Sequence, residues 1–102
     1  VDGHHTAERR SLAYHDAIAE RIARDPSIVE CARAKVASWM ASGSVHPKWI
    51  AAWSELLTRP LAELCDKLRE PTEQMMALRQ VTPFTGVLDA RTRWALWRSV
   101  PH

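Results

Sequence analysis

Apolar residues recur at three- and four-residue spacing in six separate stretches of this chain, and an X-Pro pair introduces four of them. Those pairs are Asp25-Pro26, His46-Pro47, Arg59-Pro60 and Glu70-Pro71. Proline suits the first position of a helix, because its fixed φ is helical and its missing N–H would have had no partner there. The residue before proline is driven out of the α region, so each pair also stops whatever precedes it. The pattern therefore predicts a series of short helices with brief connections.

The first helix is expected over about 11–24, with Leu12, His15, Ile18, Ala19 and Ile22 on one stripe and Glu20, Arg21 and Arg24 opposite. Asp25 should cap the second, whose apolar face is Ile28, Val29, Ala32, Val36, Trp39 and Met40, and Gly43 should stop it. After His46-Pro47 a third helix carries Trp49, Trp53, Leu56 and Leu57. The fourth, opened by Pro60, has Leu61, Leu64, Cys65 and Leu68 as its seam. A fifth begins at Glu70-Pro71, carries Met75, Met76 and Leu78, and ends near Gln80. Residues 81–87 read as a loop whose Phe84 tucks inward. Asp89 caps a last helix with Ala90, Trp94, Leu96, Trp97 and Val100 on its inner arc, and Arg93 inside that arc. No stretch alternates with period two for the length of a strand. The expected fold is all-α: one compact bundle of about six short helices over 11–102. Residues 1–10 are set aside as a flexible N-terminus or an expression remnant.

Length and composition agree with one domain that builds a core without disulfides or metal: 102 residues, 46% apolar and 25% charged. Five tryptophans beside one Phe and one Tyr are many for so small a core, so one or two indoles are expected on a contact surface. A net charge of +2 is too small to mark a dedicated nucleic-acid binder. No apolar run reaches the roughly 18 residues of a membrane span, and no signal-like stretch opens the chain, so a cytoplasmic protein is expected. Cys31 and Cys65 stand far apart without metal-ligand spacing and read as unpaired, buried or half-buried thiols.

Chemistry-bearing residues form no recognisable constellation. His15 lies among apolar neighbours, where a hydrogen-bonded core histidine is expected; His46 sits at a helix start, and His4, His5 and His102 lie at the ends. No serine occupies a Gly-x-Ser-x-Gly elbow, and three glycines are too few for a phosphate-cradling loop. The chain is accordingly expected to be no enzyme, with no catalytic residue, metal or cofactor. Helices 47–57 and 60–68 have the short connection of a helix-turn-helix, but Glu63 and Asp66 cancel Lys67 and Arg69. The fifth helix offers Glu73, Gln74, Arg79 and Gln80, a better but thin set. Residues 81–102 carry a net +2, from Arg91, Arg93 and Arg98 against Asp89. Arginine beside tryptophan is a common composition of binding hot spots. Arg91, Trp94, Trp97 and Arg98, with Trp49 near the start of the third helix, are the candidate protein interface.

Four phrases together, Arg10 to Ala19, Ala32 to Trp39, Ala77 to Phe84 and Arg91-Thr92-Arg93-Trp94, carry a family resemblance. Over residues 9–100 the chain resembles small helical bacterial proteins encoded beside nucleotidyltransferase-like proteins in gene pairs of toxin–antitoxin type. The resemblance implies an antitoxin-like regulator that binds a protein partner, itself nucleotidyltransferase-like, and brings no catalytic residues with it. The chain lacks the long charged tail and separate DNA-binding half of common antitoxins. The alternative is a small DNA-binding regulator using the helix-turn-helix-like element.

Overall fold

The computed structural model of the chain describes residues 3–100, with side chains from Thr6 onward; the side chains of His4 and His5, and all of His102, lie outside the described residues. Six helices appear in order: α1 (Gly3–Arg24), α2 (Ser27–Ser42), α3 (Pro47–Leu56), α4 (Leu61–Leu68), α5 (Glu73–Arg79) and α6 (Ala90–Ser99). There is no strand among the described residues, and the all-α bundle expected from the sequence is what forms. α1 is the axis, about 33 Å long at 1.5 Å per residue, in a molecule whose longest extent is 37 Å. α2, α4, α5 and α6 all pack on α1, while α3 rests on α2 and α5.

Helical periodicity explains the core. His15, Ile18, Ala19 and Ile22 form a buried stripe on α1, met by Val29, Ala32 and Val36 of α2, Leu64 and Leu68 of α4, and Met75 and Leu78 of α5. Trp53 and Phe84 are the two largest side chains fully enclosed. Met40 and Leu61, expected on apolar faces, are instead 66% and 40% exposed, at the last turn of α2 and the first of α4. Trp39, expected on the apolar face of the second helix, is half-buried and packs against the edge of the core. Cys31, expected to be at least half-buried, is exposed; Cys65 is half-buried, and both thiols are free.

The prolines divide into two kinds. Pro26 has helical angles, and Asp25 before it accepts hydrogen bonds from the Ser27 N–H and hydroxyl, so this pair starts a helix as expected. Pro47 likewise stands at the first position of α3, where the His46 Nδ1 accepts from the Lys48 N–H at 3.1 Å. Pro60 and Pro71 depart from that expectation. Pro60 is extended at ψ 148° and sits one residue before α4. Pro71 lies outside α5, which Thr72 caps by accepting from the Met75 N–H. Proline without a backbone N–H separates two helices here as firmly as it starts one elsewhere.

α1 begins eight residues before the expected start, so residues 3–10 continue the first helix. At the far end of α2, Gly43 adopts φ +68° and its N–H closes the helix on the Trp39 carbonyl. A Cβ built there would touch nothing within 4 Å, so only backbone strain opposes a side chain. Gly43→Ala should therefore cost about 1 kcal/mol in urea unfolding; an unchanged midpoint would mean that the turn relaxes without strain.

Candidate functional site

The sequence places two large indoles and three arginines on α6, and the fold sorts them by face. Asp89 starts the helix by accepting from the Thr92 N–H at 2.7 Å. Thr92, through its side chain and its N–H, holds that carboxyl below the usual carboxylate range. α6 packs on α1, and none of its ten residues is buried. Its inner stripe is Arg93, Leu96 and Trp97, all half-buried, continued by buried Val100 just beyond the helix. The expected inner arc is thus turned by one position: Ala90 and Trp94 face outward, and Trp94 is 57% exposed.

That turn has a local cause. The Arg10 guanidinium of α1 lies 5.4 Å from the Trp97 ring centre, within cation–π range, and draws Trp97 against α1. Trp94 then meets Trp97 edge to face, with ring centres 6.4 Å apart. Arg91 and Arg98, three residues before and four after Trp94, share its face and are exposed. Arg91, Trp94 and Arg98 therefore form one outward patch, with Trp97 at its inner edge. Trp49 does not join it. It is half-buried on α3, packed against the core, with Lys48 Nζ 4.6 Å from its ring centre.

Between α6, α1 and the loop before α6 lies a cleft of about 320 Å³. The loop is tied down from three sides. Tyr14 donates its hydroxyl hydrogen to the Phe84 carbonyl at 2.7 Å, and the Trp53 indole donates to the Val81 carbonyl at 2.5 Å. His15 Nδ1 lies 2.7 Å from the Ser11 carbonyl, which can only accept, so that nitrogen carries the proton. Its Nε2 then accepts from the Thr82 hydroxyl at 2.8 Å, while Thr82 accepts from the Phe84 N–H at 3.1 Å. Burial holds His15 neutral, lowering its pKa from 6.5 to about 4. His15 is the hydrogen-bonded core histidine expected from its place on the stripe.

Arginines were harder to place from sequence. Arg79, expected as an exposed donor on α5, is 2% exposed. Its Nη1 donates to the Leu68 and Glu70 carbonyls at 3.3 and 2.7 Å, satisfying the end of α4. Arg33 does the same for α3 through the Leu57 carbonyl, at 3.2 Å from Nε and 2.6 Å from Nη2. On α4, Lys67 pairs with Glu70 at 2.9 Å and Arg69 with Asp16 of α1 at 2.6 Å. Few cations remain on the helix-turn-helix-like element. Moreover, α3 packs on α2 and α5 whereas α4 packs on α1 and α5.

A further cleft, about 670 Å³ between the start of α1 and α5, takes its polar groups from Glu8, Glu73, Gln74 and Gln80. Among the described residues no group of three or more His, Cys, Asp or Glu side chains is placed to hold a metal ion. None of the described helices is long and apolar enough to cross a membrane. Comparison with protein-family models, with curated proteins and with solved structures finds no significant match.

Proposed function

We propose that this chain is a non-enzymatic, cytoplasmic protein-binding regulator that docks a partner on the outer face of α6. The observation that supports it most is Trp94, an indole 57% exposed on the helix least embedded in the fold. Arg91 and Arg98 flank it. An exposed tryptophan between arginines supplies a buried anchor and a directional rim when covered by a partner with an apolar pocket and acidic edge. The family resemblance makes the partner a nucleotidyltransferase-like protein encoded by the adjacent gene, with this chain as the antitoxin-like member. The DNA-binding alternative has less support, since Lys67 and Arg69 are ion-paired and Arg79 is buried.

Arg91→Glu combined with Arg98→Glu tests the proposal. Both side chains are exposed, so the fold should be unchanged by circular dichroism and urea unfolding. Affinity for the adjacent gene's product, measured by calorimetry, should fall by about tenfold or more. Unchanged affinity in the folded double variant would remove this face from the account.

A further inference from the structure

The cleft behind α6 combines three arginines in a way the partner surface does not explain. Arg10 of α1, Arg79 of α5 and Arg93 of α6 all line it, and no acidic residue does. Each of the three has a buried Nε with no hydrogen-bond partner. Unpaired buried donors are rare in folded proteins, and three around one cleft are rarer. Arg10 and Arg93 donate no side-chain hydrogen bond to any described residue, and their Nη groups are not among the buried unpaired atoms. Those groups are therefore open to solvent. Arg79 differs, because its Nη1 is committed to α4 carbonyls, and it contributes charge from the wall. Glu8 offsets part of that charge from outside the cleft.

The remaining lining suits an anion as well. Ser11 and Thr85 bring hydroxyls to it, and Trp97 gives it an aromatic wall. His15 is also present but neutral, its two nitrogens occupied by Ser11 and Thr82. A volume of about 320 Å³ lies at the small end of ligand pockets. A carboxylate is satisfied by the fork of one arginine, whereas a phosphate dianion has three terminal oxygens to share among several. Three arginines around one cleft, with no acidic residue among its lining, thus favour phosphate over carboxylate.

We propose that the cleft between α1, α6 and the 82–86 loop binds a phosphate monoester of a small molecule. Arg10 and Arg93 hold the phosphate oxygens, Arg79 adds field from the wall, and Trp97 covers the ester's body. Such an occupant would bridge α6 to α1, and its negative charge would offset the desolvation that lowers the Arg79 pKa. The cleft lies on the α1 side of α6 and the partner face on its outer side, with Trp97 the residue common to the two.

Calorimetric titration of the full chain with phenyl phosphate and with inorganic phosphate tests it, benzoate serving as the carboxylate control. Phenyl phosphate should bind with Kd below about 1 mM and benzoate at least about tenfold more weakly. Inorganic phosphate binding as tightly as phenyl phosphate would overturn the monoester assignment and leave a site for the free ion. Arg10→Gln and Arg93→Gln should each weaken phenyl phosphate binding by about tenfold. Arg24→Gln, the same charge change at the opposite end of α1, should not. Arg79→Gln is avoided because it frees the α4 carbonyls. No binding of phenyl phosphate at about 10 mM would overturn the proposal, as would equal effects of Arg24→Gln and Arg93→Gln.

Discussion

Replacing Trp53 with alanine should destabilise the domain by about 3–5 kcal/mol, a large share of what a chain of this size has. Trp53 is 0% exposed and contacts Phe84 edge to face, with ring centres 5.8 Å apart. Its indole N–H also holds the Val81 carbonyl. The substitution opens a cavity and leaves that carbonyl without its donor, and the two losses act on the same loop. Trp39→Ala should cost distinctly less, since half of its packing is missing already. Urea unfolding of both variants checks the order. A loss below about 1 kcal/mol for Trp53→Ala would mean that the core is not built around this indole.

Acid should weaken the fold through His15. In the unfolded chain this imidazole takes its proton near pH 6.5, whereas in the folded chain burial delays protonation to about pH 4. Between those values the unfolded state binds more protons, so stability falls as the pH falls, and it is fully present above 6.5. The whole shift amounts to about 3 kcal/mol, of which about 2 kcal/mol should be lost by pH 5, before most carboxylates titrate. Stability measured by urea unfolding from pH 7 to 5 should show this slope. His15→Gln should start lower, having lost the fitted ring, but be nearly flat over the same range. Equal slopes in the two proteins would place the titrating group elsewhere.

Features fixed by local chemistry were legible in the chain. Periodicity gave the buried stripe on α1, Asp25, His46 and Asp89 marked helix starts, Gly43 marked a stop, and Phe84 was recognisable as the apolar residue of a polar loop. What depended on distant partners was not. Arg79 is buried because carbonyls nine and eleven residues earlier need a donor, which no window of sequence displays. The face of α6 was misjudged at Ala90 and Trp94, because the arc that holds Arg93, Leu96 and Trp97 against α1 is narrower than the helical wheel alone shows. Arg10, which pulls Trp97 inward, stood in a stretch set aside as a terminus, with no acidic residue in the first turn of α1 to announce a helix. Pro60 and Pro71 share a sequence signature with Pro26 and Pro47, yet both stand outside the helices that follow them, Pro60 with an extended backbone and Pro71 behind the Thr72 cap.

The partner face proposed on α6 is tested most directly by the indole resonances of the five tryptophans, one for each ring, in a nitrogen-labelled chain. Trp94 is exposed and Trp53 is enclosed with its N–H bonded to Val81. On addition of the adjacent gene's product, the Trp94 indole signal and the amides of residues 90–99 should shift or broaden, while the Trp53 indole stays in place. A complex that forms with the Trp94 signal unmoved would contradict the account.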